Sequence, residues 1–194
     1  MESTLKNVKR IILEKYDIKN HYDESMDICQ YRIVDKITGE EKAQIQLSVL
    51  DEIDVAEYTT KDHWFKPSET KTVSAINLRW ITSNQKGLGT LLLAYGVLEM
   101  SKQCPNIQYS VLDDVSEKST HIKENIYTRF GYSPTEAVVK TGDNTVKLRG
   151  PEKQVLLKDF VKRARAMFPS RGRSTSRGAS NRSSRRRKSR NRKS

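Results

Sequence analysis

The chain has 194 residues, a net charge of +12 and 35% hydrophobic residues, long enough for one domain with a sizeable core. Eleven of its cations lie in residues 170–194, which hold no acid, so the tail is strongly basic and residues 1–169 are close to neutral. Two cysteines, histidines without zinc-site spacing and no apolar run of membrane length exclude a disulfide scaffold, a zinc fold and a helical membrane protein. No metal is expected. The sequence shows no signal peptide and reads as an intracellular, soluble protein with both cysteines in plain core packing.

Leu5, Val8, Ile11, Ile12 and Tyr16 keep helical spacing after Ser3 or Thr4 as N-cap, predicting a first helix. Residues 17–27 are polar and irregular. Residues 28–34 alternate as a strand, a turn follows, and Lys42–Leu50 alternates again, so the pair reads as a hairpin. Asp54–Thr60 is a weaker strand and residues 61–72 a loop. Thr72–Ile81 is the central strand and Leu88–Lys102 an apolar helix, closed by Cys104–Pro105. Ile107–Leu112 is the next strand, ending at Asp113 and Asp114. Residues 116–130 form a helix stopping at Gly131. Val138–Val139 and Thr145–Leu148 form a hairpin, and Pro151–Met167 a last helix. The strand–helix–strand at 72–112 should be a right-handed crossover between parallel strands. The expected fold is a mixed α/β domain over 1–168, followed by a disordered Arg/Ser-rich basic tail over 169–194.

The chemistry concentrates where the central strand meets its helix. TSNQKGLG joins an apolar strand to an apolar helix. A helix N-terminus presents unpaired N–H groups and the positive end of the helix dipole, and so binds anions. Gly87 and Gly89 let a ligand approach the backbone. The loop is neither a Walker P-loop nor the Rossmann GxGxxG. Two readings stand for it, a pyrophosphate cradle and a simple turn.

Two separated pieces bear on that choice. Asn84-Gln85-Lys86-Gly87-Leu88-Gly89 resembles the Gln/Arg-x-x-Gly-x-Gly/Ala signature of the GNAT-type N-acyltransferases, with Asn84 where the family has Gln or Arg. Asn125-Ile126-Tyr127-Thr128-Arg129-Phe130-Gly131-Tyr132 resembles the family's Asn…Tyr…Gly-aromatic helix end, with a shorter Asn-to-Tyr spacing. One helix and one strand separate the pieces, as in that family, and the likeness covers roughly residues 28–150.

The resemblance implies a GNAT-like mixed central sheet with flanking helices and acetyl-CoA, or a longer acyl-CoA, as cosubstrate. It implies that the pantetheine arm pairs with the strand end at Leu78, Trp80 and Ile81. Pyrophosphate would sit on the amides of Gln85, Lys86, Gly87, Leu88, Gly89 and Thr90. The Lys86 side chain adds charge to the phosphates or is a solvated loop lysine. Tyr127 stands where family members keep a tyrosine that protonates the departing CoA sulfur; a phenol with pKa near ~10 suits that role, and packing under the helix turn is the other reading. Asn125 contacts the pantetheine or adenine side, or caps a helix. The central strand supplies no acid. Asp113 and Asp114 are the candidate general bases, with a turn or capping role as the alternative; Glu57 and His63 are weaker candidates. Residues 17–27 and 57–70 would shape the acceptor site, and their Asp17, Asp23, Glu24, Asp27, Glu57, Asp62 and Glu69 point to a cationic acceptor such as a lysine peptide or a polyamine.

In the tail, Arg171, Arg173, Arg177, Arg182, Arg185, Arg186, Arg187, Lys188, Arg190, Arg192 and Lys193 suit phosphate contact with DNA or RNA, and no aromatic is present for base stacking. Lys158, Lys162, Arg163 and Arg165 would extend the patch. Arg185–Lys188 also reads as a nuclear-import cluster. Interspersed serines would let phosphorylation cancel charge. Two function classes stand: an acyl-CoA-dependent N-acyltransferase tethered to nucleic acid, and a non-catalytic nucleic-acid-binding or packaging protein whose domain is structural.

Overall fold

The computed structural model describes residues 1–56, 70–112, 126–134, 138–141, 144–147 and 153–169. In chain order the elements are α1 (Glu2–Leu13), β1 (Tyr16–Asp23), β2 (Ile28–Asp35), β3 (Glu41–Ala56), β4 (Thr70–Ser83) and α2 (Leu88–Gln103). Then come β5 (Tyr109–Leu112), α3 (Ile126–Phe130), β6 (Ser133–Pro134), β7 (Val138–Thr141), β8 (Asn144–Lys147), β9 (Lys153–Leu156) and α4 (Leu157–Met167). Seven strands form one sheet in the order β1-β2-β3-β4-β5-β9-β6, and β7 and β8 form a separate hairpin. β4 and β5 are parallel across α2, and the other pairings are antiparallel. This is the mixed α/β sheet with flanking helices expected of a GNAT-type fold.

The centre of the molecule is α2. Leu92, Leu93, Ala94, Val97 and Leu98 are fully buried, and nearly every turn is covered. A helix apolar all round must be enclosed; this one lies between the sheet, α1 and α4. Its sheet-side neighbours are the inward residues Tyr31, Ile33, Ile45 and Leu47, all 2% exposed or less. α1 closes the layer with Leu5, Val8 and Ile12, and its Asn7 Nδ2 donates to the carbonyls of Phe168 (2.8 Å) and Pro169 (3.0 Å), tying the first helix to the end of α4. Phe130 stacks on Phe160 with centroids 4.6 Å apart, locking α3 to α4.

Four expectations are corrected. The first helix has Met1, not Ser3 or Thr4, at its N-cap, without a side-chain capping bond, and it ends at Leu13. Residues 17–27 are not irregular. Most of them form β1, an edge strand whose eight residues pair with β2 from Tyr16↔Asp35 to Asp23↔Ile28. Backbone pairing rather than side-chain burial holds this strand, so its sequence lacks an apolar alternation. The last helix does not begin at Pro151, because Lys153–Leu156 is β9 between β5 and β6. There Gln154 and Val155 are buried, and sheet pairing overrides the helical spacing of Val155, Leu156 and Phe160. Cys29 and Cys104 are half-buried rather than fully buried, and Cys29 packs against the main core. Among the described residues, no helix is long and apolar enough to cross a membrane.

Candidate functional site

β4 carries two different environments. From Ala75 to Leu78 it pairs with β3 on one side and with β5 on the other, the parallel ladder running from Ala75↔Tyr109 to Leu78↔Leu112. Among the described residues that ladder stops at Leu78, while pairing with β3 continues to Ser83. The change coincides with a bulge: Gln46 opposes Trp80 and Leu47 opposes Leu78, which leaves Arg79 as the extra residue on β4. A bulge bends and twists its strand.

The side chains follow the same division. Leu78 is 3% exposed and belongs to the core, so only its backbone can face a ligand. Trp80 is 37% exposed, with its Nε1–H held by Gln46 Oε1 at 2.5 Å. Ile81 is half-buried against the main core.

The loop after β4 is braced on three sides. The Asn84 N–H donates to the Lys42 carbonyl (3.1 Å), and Asn84 Nδ2 to that of Glu41 (3.3 Å). The Tyr16 hydroxyl donates to Gln85 Oε1 at 3.0 Å, and the Ser83 hydroxyl to the Gln85 carbonyl at 2.8 Å. Asn84 therefore fixes the loop to the start of β3. The N–H groups of Gln85 and Leu88 are turned inward, to Ser83 Oγ (3.3 Å) and to the Gln85 carbonyl (3.2 Å). Leu88 itself is buried. The remaining amides of the turn, those of Lys86, Gly87, Gly89 and Thr90, belong to a helix start with no side-chain cap.

The two glycines differ. Gly87 is the N-cap, with φ +88°, a conformation that a side chain resists. Nothing lies within 4 Å of where its Cβ would stand. Gly89 has no such backbone requirement. A Cβ there would meet Ser83 Cβ at 3.4 Å and Ile126 Cδ1 at 3.8 Å, which is ordinary contact. The fold would accept alanine, which makes a better helix than glycine by about 1 kcal/mol.

Ile126 opens α3, so the two motif pieces meet in space: the residue before Tyr127 abuts the first turn of α2. Tyr127 is half-buried against the main core, edge-on to Tyr132 at 6.1 Å, with Lys153 Nζ 5.9 Å from its ring centroid. Tyr132 is fully enclosed, shares a 2.7 Å hydrogen bond with Ser110 Oγ, and burial pushes its phenol well above the usual range. That makes Tyr132 the structural tyrosine of the pair. Lys153 and the Arg79 bulge escape sequence reasoning. The first was read as part of a helix, and the second shows only in the register of two strands.

Asp113, Asp114, Asn125, Glu57, His63, Asp62, Glu69 and every tail cation named above lie outside the described residues. Asp17, Asp23, Glu24 and Asp27 belong to the outermost strand and its turn, three strands from β4, about 14 Å away. Asp23 is occupied in that turn. It accepts from the Ser25 N–H (3.0 Å) and hydroxyl (2.6 Å), which hold its carboxyl below the usual range. Among the described residues no cluster of side chains could hold a metal ion.

No protein-family model and no curated protein matches the chain. Solved structures similar to it include AtaTR bound with acetyl-CoA, 14% identical, covering 76% of this chain and 96% of that one with a TM-score of 0.48. A Tyr-to-Phe mutant of KacT is also 14% identical, covering 72% of this chain and 76% of that one, with a TM-score of 0.48. Arabidopsis thaliana NAA60 in complex with acetyl-CoA is 14% identical, covering 79% and 92%, with a TM-score of 0.37. At such identities no residue role is carried over from them.

Proposed function

We propose that the chain is an N-acyltransferase that moves an acetyl group from acetyl-CoA to an amine, and that residues 170–194 hold it on nucleic acid. The observation that supports this most is the contact of α3 with the first turn of α2, Ile126 against the Cβ position of Gly89. It brings the short helix that carries the half-buried Tyr127 against a helix start without a side-chain cap. The amides of Lys86, Gly87, Gly89 and Thr90 would take the pyrophosphate. The stretch of β4 beyond Leu78 would pair with the amide groups of the pantetheine arm. The incoming amine forms a bond to the thioester carbonyl carbon, the C–S bond breaks, and Tyr127 gives its phenolic proton to the departing sulfur. The proton released by the amine leaves through water or through an acid at the end of β5, Asp113 or Asp114.

Calorimetry with acetyl-CoA on the parent and on Gly89→Asp tests the site. The added carboxylate repels pyrophosphate while favouring the helix dipole, so the variant should stay folded and bind at least tenfold more weakly, about 1.4 kcal/mol. Equal binding by both removes the loop from the site. The tail is tested separately. Full-length protein should bind DNA and RNA with little sequence preference, losing roughly 10³-fold in affinity between low and moderate salt, and the form lacking 170–194 should not bind while still taking acetyl-CoA. Nucleic-acid binding by a chain that takes no acetyl-CoA would favour the packaging reading. Nuclear placement by Arg185–Lys188 belongs to the same proposal.

A further inference from the structure

At the opposite end of α2 the structure holds a second concavity. It is a cavity of about 420 Å³ enclosed by β1, β2, β3 and the last turn of α2, a volume that suits a small organic ligand. About 20 Å of helix separates it from the Gly87–Thr90 turn. The loop ligand and a ligand here would not touch.

The walls divide by chemistry. Tyr31 and Met100, 2% and 3% exposed, form an apolar floor with Val49 beside them. The Tyr31 ring is pinned edge-on by Tyr95 at 5.5 Å. At the mouth stands Tyr22, 52% exposed, its hydroxyl donating to Asp27 Oδ1 at 2.6 Å. Asp27, a left-handed residue with φ +52°, lines the cavity. The other polar wall is the C-terminal turn of α2, the negative end of a 16-residue helix. Among the described residues lining the cavity there are one carboxylate and one imidazole, that of His21, and no lysine or arginine. Burial raises the Cys29 thiol, and the Asp27 charge raises it further. The hydrogen bond to Asp27, with burial and its charge, raises the Tyr22 phenol. Both shifts have the Asp27 carboxylate among their causes. Two aromatic rings, a carboxylate and a helix C-terminus around an apolar floor are the combination that receives an organic cation.

We propose that this cavity is a second ligand site, taking a small ammonium compound whose charge meets Asp27 and the end of α2 while its apolar part lies between Tyr22 and Tyr31. Cys29 and Cys104 line the same walls and serve as reporters of occupancy.

The experiment uses choline and its neutral isostere 3,3-dimethyl-1-butanol as probes on the full chain, reading protection of Cys29 and Cys104 from alkylation by iodoacetamide. Choline should protect both thiols saturably, and the isostere should need about tenfold more. Asp27→Asn should weaken protection by choline about tenfold and leave that by the isostere unchanged. Tyr22→Leu, at an exposed position where folding is not at risk, should weaken choline about threefold, and Tyr22→Phe should restore most of it because the ring is kept. No protection by choline at about 50 mM, a concentration far above any useful affinity, overturns the proposal. So does equal protection by the isostere, or Asp27→Asn binding choline like the parent. Acetyl-CoA affinity should be the same in all three variants, so the outcome is independent of the loop site.

Discussion

The lower and upper halves of β4 are one continuous strand with opposite duties. Ala75, Ile76 and Leu78, hydrogen-bonded on both sides, are 3% exposed or less. Arg79, Trp80, Thr82 and Ser83, beyond the bulge, are exposed. The lower half supplies apolar surface and stability. Among the described residues the upper half pairs with β3 alone. The chain leads this exposed strand end straight into a helix start without a side-chain cap. The difference teaches where to look for a ligand: at the point where the side chains of a central strand turn from buried to exposed and the strand runs into a helix start without a side-chain cap.

If that division is right, damage to the two halves should separate. The largest effect is expected at Ile76→Ala. The side chain is fully buried in the main core, so its loss should cost about 2–5 kcal/mol of unfolding free energy. Acetyl-CoA affinity per folded molecule should hold near the parent value. Urea unfolding and calorimetry measure the two quantities; a weakened affinity in a folded variant would mean that the halves are coupled. Next comes Tyr127→Phe. The ring contacts to Tyr132 and the core survive the change, so stability should hold while kcat falls about 10²-fold with unchanged acetyl-CoA affinity. An unaltered kcat would leave Tyr127 as packing alone.

Much of this was legible before the fold was seen, for physical reasons that also explain the gaps. β2, β3, β4 and α2 bury a face or a whole surface, and burial writes a period into the sequence. The two motif pieces were legible because each marks a turn or helix end with a fixed chemical demand. β1 was hidden because its edge position buries little, and β9 because four residues preceding a helix share its spacing. The Arg79 bulge is a relation between two strands and has no local signature. The cavity below α2 was hidden for the same reason. It brings Cys29, Asp27 and Cys104 together, where the sequence reads the two cysteines as core packing and Asp27 as one acid among those shaping an acceptor site. Asn84 was read as a departure from the family's signature. Its hydrogen bonds to the backbone of Glu41 and Lys42 show a brace, a role that sequence spacing does not encode.

The smallest expected effect discriminates best. Gly89→Ala adds one methyl group at a position where the fold has room, 3.4 Å from Ser83 Cβ and 3.8 Å from Ile126 Cδ1. Alanine in a helix is favoured over glycine, so the domain should gain about 0.5–1 kcal/mol in urea or thermal unfolding. The same methyl stands beside the amides of Gly89 and Thr90 and should hold a pyrophosphate off them, weakening acetyl-CoA about threefold, less than 1 kcal/mol. Two small changes of opposite sign from one substitution are hard to obtain by accident. A glycine kept for folding would lose stability on replacement, and a glycine kept for nothing would gain stability and lose no affinity. Only a glycine kept for close approach of a ligand gives both. A gain in stability with unchanged acetyl-CoA binding would return the loop to the status of a turn, and with it the claim that the upper half of β4 serves a ligand.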